Sequence, residues 1–301
     1  MFKPGPAVIT TQGTFKERDA GAEDSALQSD EPLVIIQPGK PWAALNLSDL
    51  WASRELLYFL IWRDLKVRYK QTVFGVAWVI MQPLLMTLVF TIFLGKLARV
   101  PSNNIPYPLL VLTGLLPWTF FSTAIIGSSN SLVGNAHLIT KVYFPRMTVP
   151  LAIVGARVVD FVISFVIFGA MMIYYGVVVS WQIALLPIVI LLITALALSI
   201  GMLTSALNVK YRDVGVAIPV LIQLWMFASP IVYPLELVPE RWRSLYSLNP
   251  LAGIIMGFRA ALLGNEIHWN ALAVSAAVTL CLLIYSAYTF RRMEKTFADI
   301  V

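Results

Sequence analysis

Charge is scarce in this sequence. Only 13% of its 301 residues are Asp, Glu, Lys or Arg, about half the share in a soluble domain, while 58% are hydrophobic and the mean hydropathy is +0.78. That balance excludes a soluble globular domain and makes the chain an integral membrane protein. Cysteine is nearly absent: Cys281 stands alone in an apolar run, which excludes an intrachain disulfide and leaves a small packing residue. The two histidines, His137 and His268, fall near expected membrane interfaces and lack metal-ligand spacing. Carboxylates are few, and no nucleophile, base and orienting acid are grouped as hydrolytic or transfer chemistry requires. A phosphate loop of the form GxxxxGKS or GxxxxGKT is missing as well. Gly39-Lys40 is followed by Pro41 and Gly95-Lys96 by Leu97, so neither supplies the hydroxyl that would hold magnesium. Finally, charges between Lys16 and Glu31 rule out an apolar leader, and the N-terminus is expected to stay in the cytoplasm.

What is present begins with a join. The basic stretch WRDLKVRYKQT, Trp62 to Thr72, runs straight into VFGVAWVIMQPLL, and positive charge beside a span fixes its cytoplasmic end. The net charge of +6 sits in loops and helix ends, which reads as topology and membrane-lipid contact, with no nucleic-acid partner. Residues 1–48 mix Gly, Pro, Ser, Thr and both charge signs and read as a disordered or weakly ordered segment. Residues 49–71 read as an amphipathic helix on the membrane surface. At 100° per residue Arg63, Lys66 and Lys70 share one side and Leu57, Ile61 and Leu65 the other, while Asp64 and Arg68, four apart, are placed to pair nearer the apolar side.

Residues 72–301 hold six expected spans: Phe74–Leu94, Tyr107–Leu132, Val149–Tyr175, Gln182–Leu207, Val214–Tyr233 and Trp269–Phe290. Lys141, Arg146, Lys210, Arg212, Arg291 and Arg292 then face the cytoplasm with both termini; Lys96 and Arg99, outside, run against that bias. Ser229 to Gly264 alternates apolar runs with Pro230, Pro234, Pro239 and Pro250. Two short helices that dip into the outer leaflet and return fit it, as does a folded external loop.

Six segments in this order resemble the membrane subunits of ABC exporters for lipid-linked polysaccharides such as O-antigen, capsule and teichoic acid: RDLKVRYKQTVFGVAWVIMQP, YPLLVLTGLLPWTFFS, LITKVYFPRMTVPLA, NVKYRDVG, SPIVYP and LNPLAGIIMGFR. The resemblance covers about Trp42 to the C-terminus. It implies an all-α permease in a bacterial inner membrane. It also implies a homodimer powered by two copies of a cytoplasmic ABC ATPase that bind ATP and magnesium, with an undecaprenyl-pyrophosphate-type lipid-linked glycan as cargo. Leu138, Ile139, Lys141, Val142, Phe144, Pro145 and Arg146 would then form the ATPase-coupling segment; the alternative is an ordinary charged turn.

Arg63, Lys66, Arg68 and Lys70 beside an apolar wall suit a pyrophosphate headgroup, or serve topology alone. Phe74, Trp78, Phe90, Trp118, Phe121, Trp225 and Tyr233 offer flat faces over which sugar rings slide, or act as interfacial anchors and packing. Arg157 and Asp160, three apart inside the third span, form an intramembrane pair read as a structural strut. The rivals are a small-molecule efflux permease of the same superfamily, a membrane glycosyltransferase, which would need clustered acids at the membrane face, and an ion-coupled transporter, which would need several unpaired intramembrane charges.

Overall fold

The computed structural model describes residues 51–70, 75–101, 105–142, 144–178, 180–233, 238–239, 241–242, 246 and 248–297. Residues 1–48, Phe74 and most of 234–247 lie outside them. Among the described residues every regular element is helical. In chain order these are α1 Arg54–Lys70, α2 Ala77–Phe90, a π-helical extension Thr91–Leu97, α3 Tyr107–Ser129, the short α4 Ser131–Gly134 and α5 Ala136–Lys141, α6 Thr148–Tyr174, a 3-10 turn Trp181–Leu185, α7 Leu186–Lys210, α8 Asp213–Phe227, α9 Pro250–Leu263 and α10 Trp269–Glu294.

Five helical stretches are long and apolar enough to cross a bilayer: Ala77–Leu97, Tyr107–Ser129, Thr148–Tyr174, Trp181–Lys210 and Trp269–Glu294. The fifth expected span, Val214–Tyr233, is not among them. Its helix α8 has 15 residues, about 22 Å at 1.5 Å per residue, short of the ~30 Å hydrocarbon thickness. The break follows from Pro230, which lacks an N–H and biases Ser229 away from helical geometry.

The core lies where α3, α6, α7 and α9 meet, and α3 is the most buried span. Phe161 of α6 sets its ring 5.4 Å from Phe120 of α3 and 6.0 Å from Phe258 of α9, at tilted and edge-on angles that aromatic quadrupoles favour. Although only 14 residues long, α9 is buried along almost its whole length. It starts at Asn249, whose side chain accepts the Leu251 N–H at 3.1 Å, with Pro250 at the first helical position, where the missing donor costs nothing. It crosses α10 at Gly253, where a Cβ would stand 2.3 Å from the Ala271 carbonyl oxygen, so only hydrogen fits. It coincides with the second apolar run of the Ser229–Gly264 stretch; most of residues 234–247, where the first of the two expected short helices falls, lies outside the described residues.

Helix α1 lies along α6, with Leu60 buried and Ile61 against Gly155. Its outward side is mixed rather than purely basic, since Tyr58, Phe59, Trp62 and Val67 are exposed beside Lys66 and Lys70. The expected Asp64–Arg68 pairing does not form. Asp64 pairs with Arg63 at 3.0 Å, and docking on α6 brings Arg68 level with Asp160 instead.

Candidate functional site

At one end of the helices, α4, α5 and the connection to α6 fold back onto the chain. Ile139 and Phe144 insert beside Met147, Met202 and Phe290, and Phe290 meets Phe297 edge-on with ring centres 5.4 Å apart. Arg146 fastens this connection to the end of α10: its backbone N–H donates to Glu294 Oε1 at 2.9 Å and its guanidinium donates to the Glu294 carbonyl. A second tie is Asn208, 2% exposed, whose amide donates to Ser129 O at 2.9 Å and Asn130 Oδ1 at 3.2 Å while its oxygen accepts the Gly215 N–H at 2.9 Å. One side chain thereby joins α3, α7 and α8 where each has unpaired backbone groups. Leu138 is half-buried, and Lys141 and Val142 remain exposed.

Near this end Asp160 of α6 gathers three donors. Arg68 Nη1 lies 2.5 Å and Arg157 Nη1 3.2 Å from Oδ2, and the Tyr69 hydroxyl donates to Oδ1. Burial, reinforced by the Asp160 hydrogen bond and charge, pushes the Tyr69 hydroxyl up to about 12. Arg63 donates to Asp64 and, at 2.9 Å, to Asn135 Oδ1, linking α1 to the fold-back.

At the far end the non-helical stretch Ser229–Tyr233 is enclosed by protein. Three consecutive carbonyls find donors: Arg259, 5% exposed, donates to Ile231 at 2.9 Å and Tyr233 at 3.3 Å, and the Tyr107 hydroxyl donates to Val232 at 3.0 Å. Irregular backbone at membrane depth survives only with such partners. The stretch lies directly on Gly114 of α3, where a Cβ would stand 2.1 Å from Ile231 O. Beside it opens a cavity of about 820 Å³ walled by Leu94, Val100, Trp225, Tyr233, Trp242 and Tyr246.

Residues 55–263 match the ABC-2 type transporter membrane family. The chain belongs to that family. It is 31% identical over 255 residues to an O-antigen export system permease protein RfbA of Myxococcus xanthus, covering 83% of this chain and 97% of that one. A protein of the same description from Klebsiella pneumoniae is 29% identical over 249 residues, covering 82% and 95%. The polysialic acid transport protein KpsM of Escherichia coli is 24% identical over 228 residues, covering 73% and 88%.

In this ABC-2 permease the residues singled out from sequence separate into groups. Of the coupling segment, Ile139 and Phe144 are committed to the chain's own core, Leu138 packs half-buried against it and Arg146 is tied to Glu294, while Lys141 and Val142 are exposed. Of the basic set, Arg68 is held by Asp160 and Arg63 by Asp64 and Asn135, while Lys66 and Lys70 are exposed. Trp118 and Phe121 are buried, and Phe121 packs edge-on against Trp225 at 5.4 Å. Phe90 is half-buried, Trp78 exposed, and Phe74 lies outside the described residues. Trp225 and Tyr233 line the cavity. Among the described residues no three metal-ligating side chains converge. Sequence reasoning missed Asn208, Arg259, Asn249 and Tyr69. Asn208 and Asn249 carried a signal, polar side chains beside helix breaks in an otherwise apolar chain, whereas Arg259 lies inside α9 and Tyr69 inside α1.

Proposed function

We propose that the chain is the membrane subunit of an ATP-driven exporter for a lipid-linked polysaccharide of the O-antigen class. The observation that carries this is similarity over nearly the full length of relatives named as O-antigen export permeases, within a family match over residues 55–263. Two copies form the path, each served by a cytoplasmic ABC ATPase that binds magnesium and ATP and drives transport by hydrolysis. The protein resides in the bacterial inner membrane with both termini cytoplasmic. Residues 72–301 form the permease domain, α1 lies at the inner interface, and α8 completes a sixth crossing with help from the 228–233 stretch, which with α9 re-enters from outside.

The fold-back containing α5 is the ATPase contact, reached through Leu138, Lys141 and Val142. The headgroup of the carrier lipid meets Lys66 and Lys70, whose exposure beside apolar Trp62 and Val67 supports a pyrophosphate with its chain in the bilayer. The small-molecule efflux reading has no observation of its own in favour.

Deleting the gene tests this directly. Polysaccharide should still be made but held at the cytoplasmic face, and surface immunoblots should be restored by the intact gene. Unchanged surface polysaccharide in the deletion strain would sink the proposal. Val178, 86% exposed beyond α6, offers a test of sidedness. With Cys281→Ala as background, Val178→Cys should react with an impermeant maleimide in intact cells and Val142→Cys only after permeabilisation; the reverse pattern overturns the topology.

A further inference from the structure

Lys96, Arg99 and Arg241 stand where the charge rule for membrane topology disfavours them, on the outer side. All three are exposed, and each lies within two residues in sequence of a residue that walls one cavity. Lys96 is two residues beyond Leu94, Arg99 precedes Val100, and Arg241 lies beside Trp242, its guanidinium 5.9 Å from the ring centre.

The cavity's own polar groups are largely spent. Trp225 Nε1 donates to Asn249 Oδ1 at 3.1 Å; Asn249 Nδ2 donates to Ala228 O at 3.0 Å and Ser229 Oγ at 2.9 Å. The Tyr233 hydroxyl donates to Phe227 O at 2.8 Å and pairs with the Tyr246 hydroxyl. A sugar in this space would strand its hydroxyls, each a buried polar group without a partner. A hydrocarbon chain would not, and about 820 Å³ lies within the ordinary range of ligand pockets.

We propose that this cavity holds one hydrocarbon chain of an anionic phospholipid of the outer leaflet, with the lipid phosphate met by Lys96, Arg99 and Arg241. Apolar walls with three exposed cations close to them in sequence match the two halves of that molecule. Phospholipid surrounds the protein in bulk, so mass action fills a site open to the bilayer with it before a scarcer glycolipid arrives. The bound lipid braces the end of α2 against the start of α9. The inference takes its sidedness from the topology above and nothing else from the export reading.

The test uses the purified full chain, without ATPase or glycan, in phosphatidylcholine nanodiscs. These contain phosphatidylglycerol with a photoactivatable group at one acyl terminus. After illumination, adducts should concentrate on Leu94, Trp225 and Tyr246 relative to the exposed Val166 of α6 and Leu191 of α7, which report ordinary annular lipid. Combining Lys96→Gln, Arg99→Asn and Arg241→Gln should lower cavity adducts several-fold and leave those on Val166 and Leu191 unchanged. Asn is chosen at Arg99 because its φ of 51° is left-handed, which Asn tolerates. Ala228→Phe, which fills the cavity, should do the same. Cavity labelling no greater than at Val166 and Leu191, or equal labelling by a phosphatidylcholine probe, overturns the proposal. So does displacement by a polyprenyl phosphate but not by excess unlabelled phosphatidylglycerol, which would assign the cavity to the carrier. No export is measured, so failure of the export reading leaves each outcome readable.

Discussion

At the scale of single residues, the membrane-embedded charge is organised around one carboxylate. Asp160 is 12% exposed at its side chain and faces two guanidiniums, so its charge keeps Arg68 and Arg157 together on α1 and α6. Asp160→Asn keeps an acceptor but leaves the arginines uncompensated, and is expected to destabilise the protein by about 3 kcal/mol. Thermal unfolding in detergent checks this; an unchanged Tm would show that the arginines find other counter-charges. Tyr69 gives a second handle. Its hydroxyl, pushed up to about 12, stands above the ordinary tyrosine value of about 10, so its contribution is complete below pH about 10 and is lost as pH rises through 12. Tyr69→Phe should flatten that alkaline decline relative to the unsubstituted protein, measured as Tm against pH.

At the scale of elements, close approaches decide which helices can cross. Gly253→Ala drives a methyl group into the Ala271 carbonyl and should part α9 from α10, lowering stability by roughly 1–3 kcal/mol. Gly169→Ala meets nothing within 4 Å and should be neutral or slightly stabilising. Equal Tm for the two would contradict the crossing. Arg259→Met removes the donors to the Ile231 and Tyr233 carbonyls and should cost about 2–4 kcal/mol, with the 229–233 stretch becoming sensitive to added protease.

These elements differ in how far the sequence could announce them. The five long spans follow from length and apolarity alone, and the break after α8 was signalled by Pro230. Burial of α9 was foreshadowed by its apolar run. The partners of Arg68 and Arg259 were not legible, because a residue's nearest charge or carbonyl in sequence is displaced by one 92 or 28 positions away that packing brings closer. Ile139 and Phe144 looked outward-facing for the same reason. A six-residue helix followed by a short connection is too brief for a period to reveal which surface its apolar residues cover.

At the scale of the whole molecule, the fold-back separates residues that hold the permease together from those free to meet a partner. Phe144→Asp would bury a charge among Met147, Met202 and Phe290 and should unfold or deplete the permease itself. Val142→Asp, at a site 51% exposed, should leave the permease intact and weaken its co-purification with the ATPase. If both variants behave alike, the contact lies elsewhere. The grip of Arg146 on Glu294, with Phe297 packed just beyond, also bears on how the chain can be tagged and trimmed. A fusion appended after Val301 spares these contacts. Removal of the last eight residues, from Glu294 on, would take away both the acceptor of Arg146 and the ring that meets Phe290, so that a cut at the C-terminus is felt in a connection 148 positions earlier in the chain.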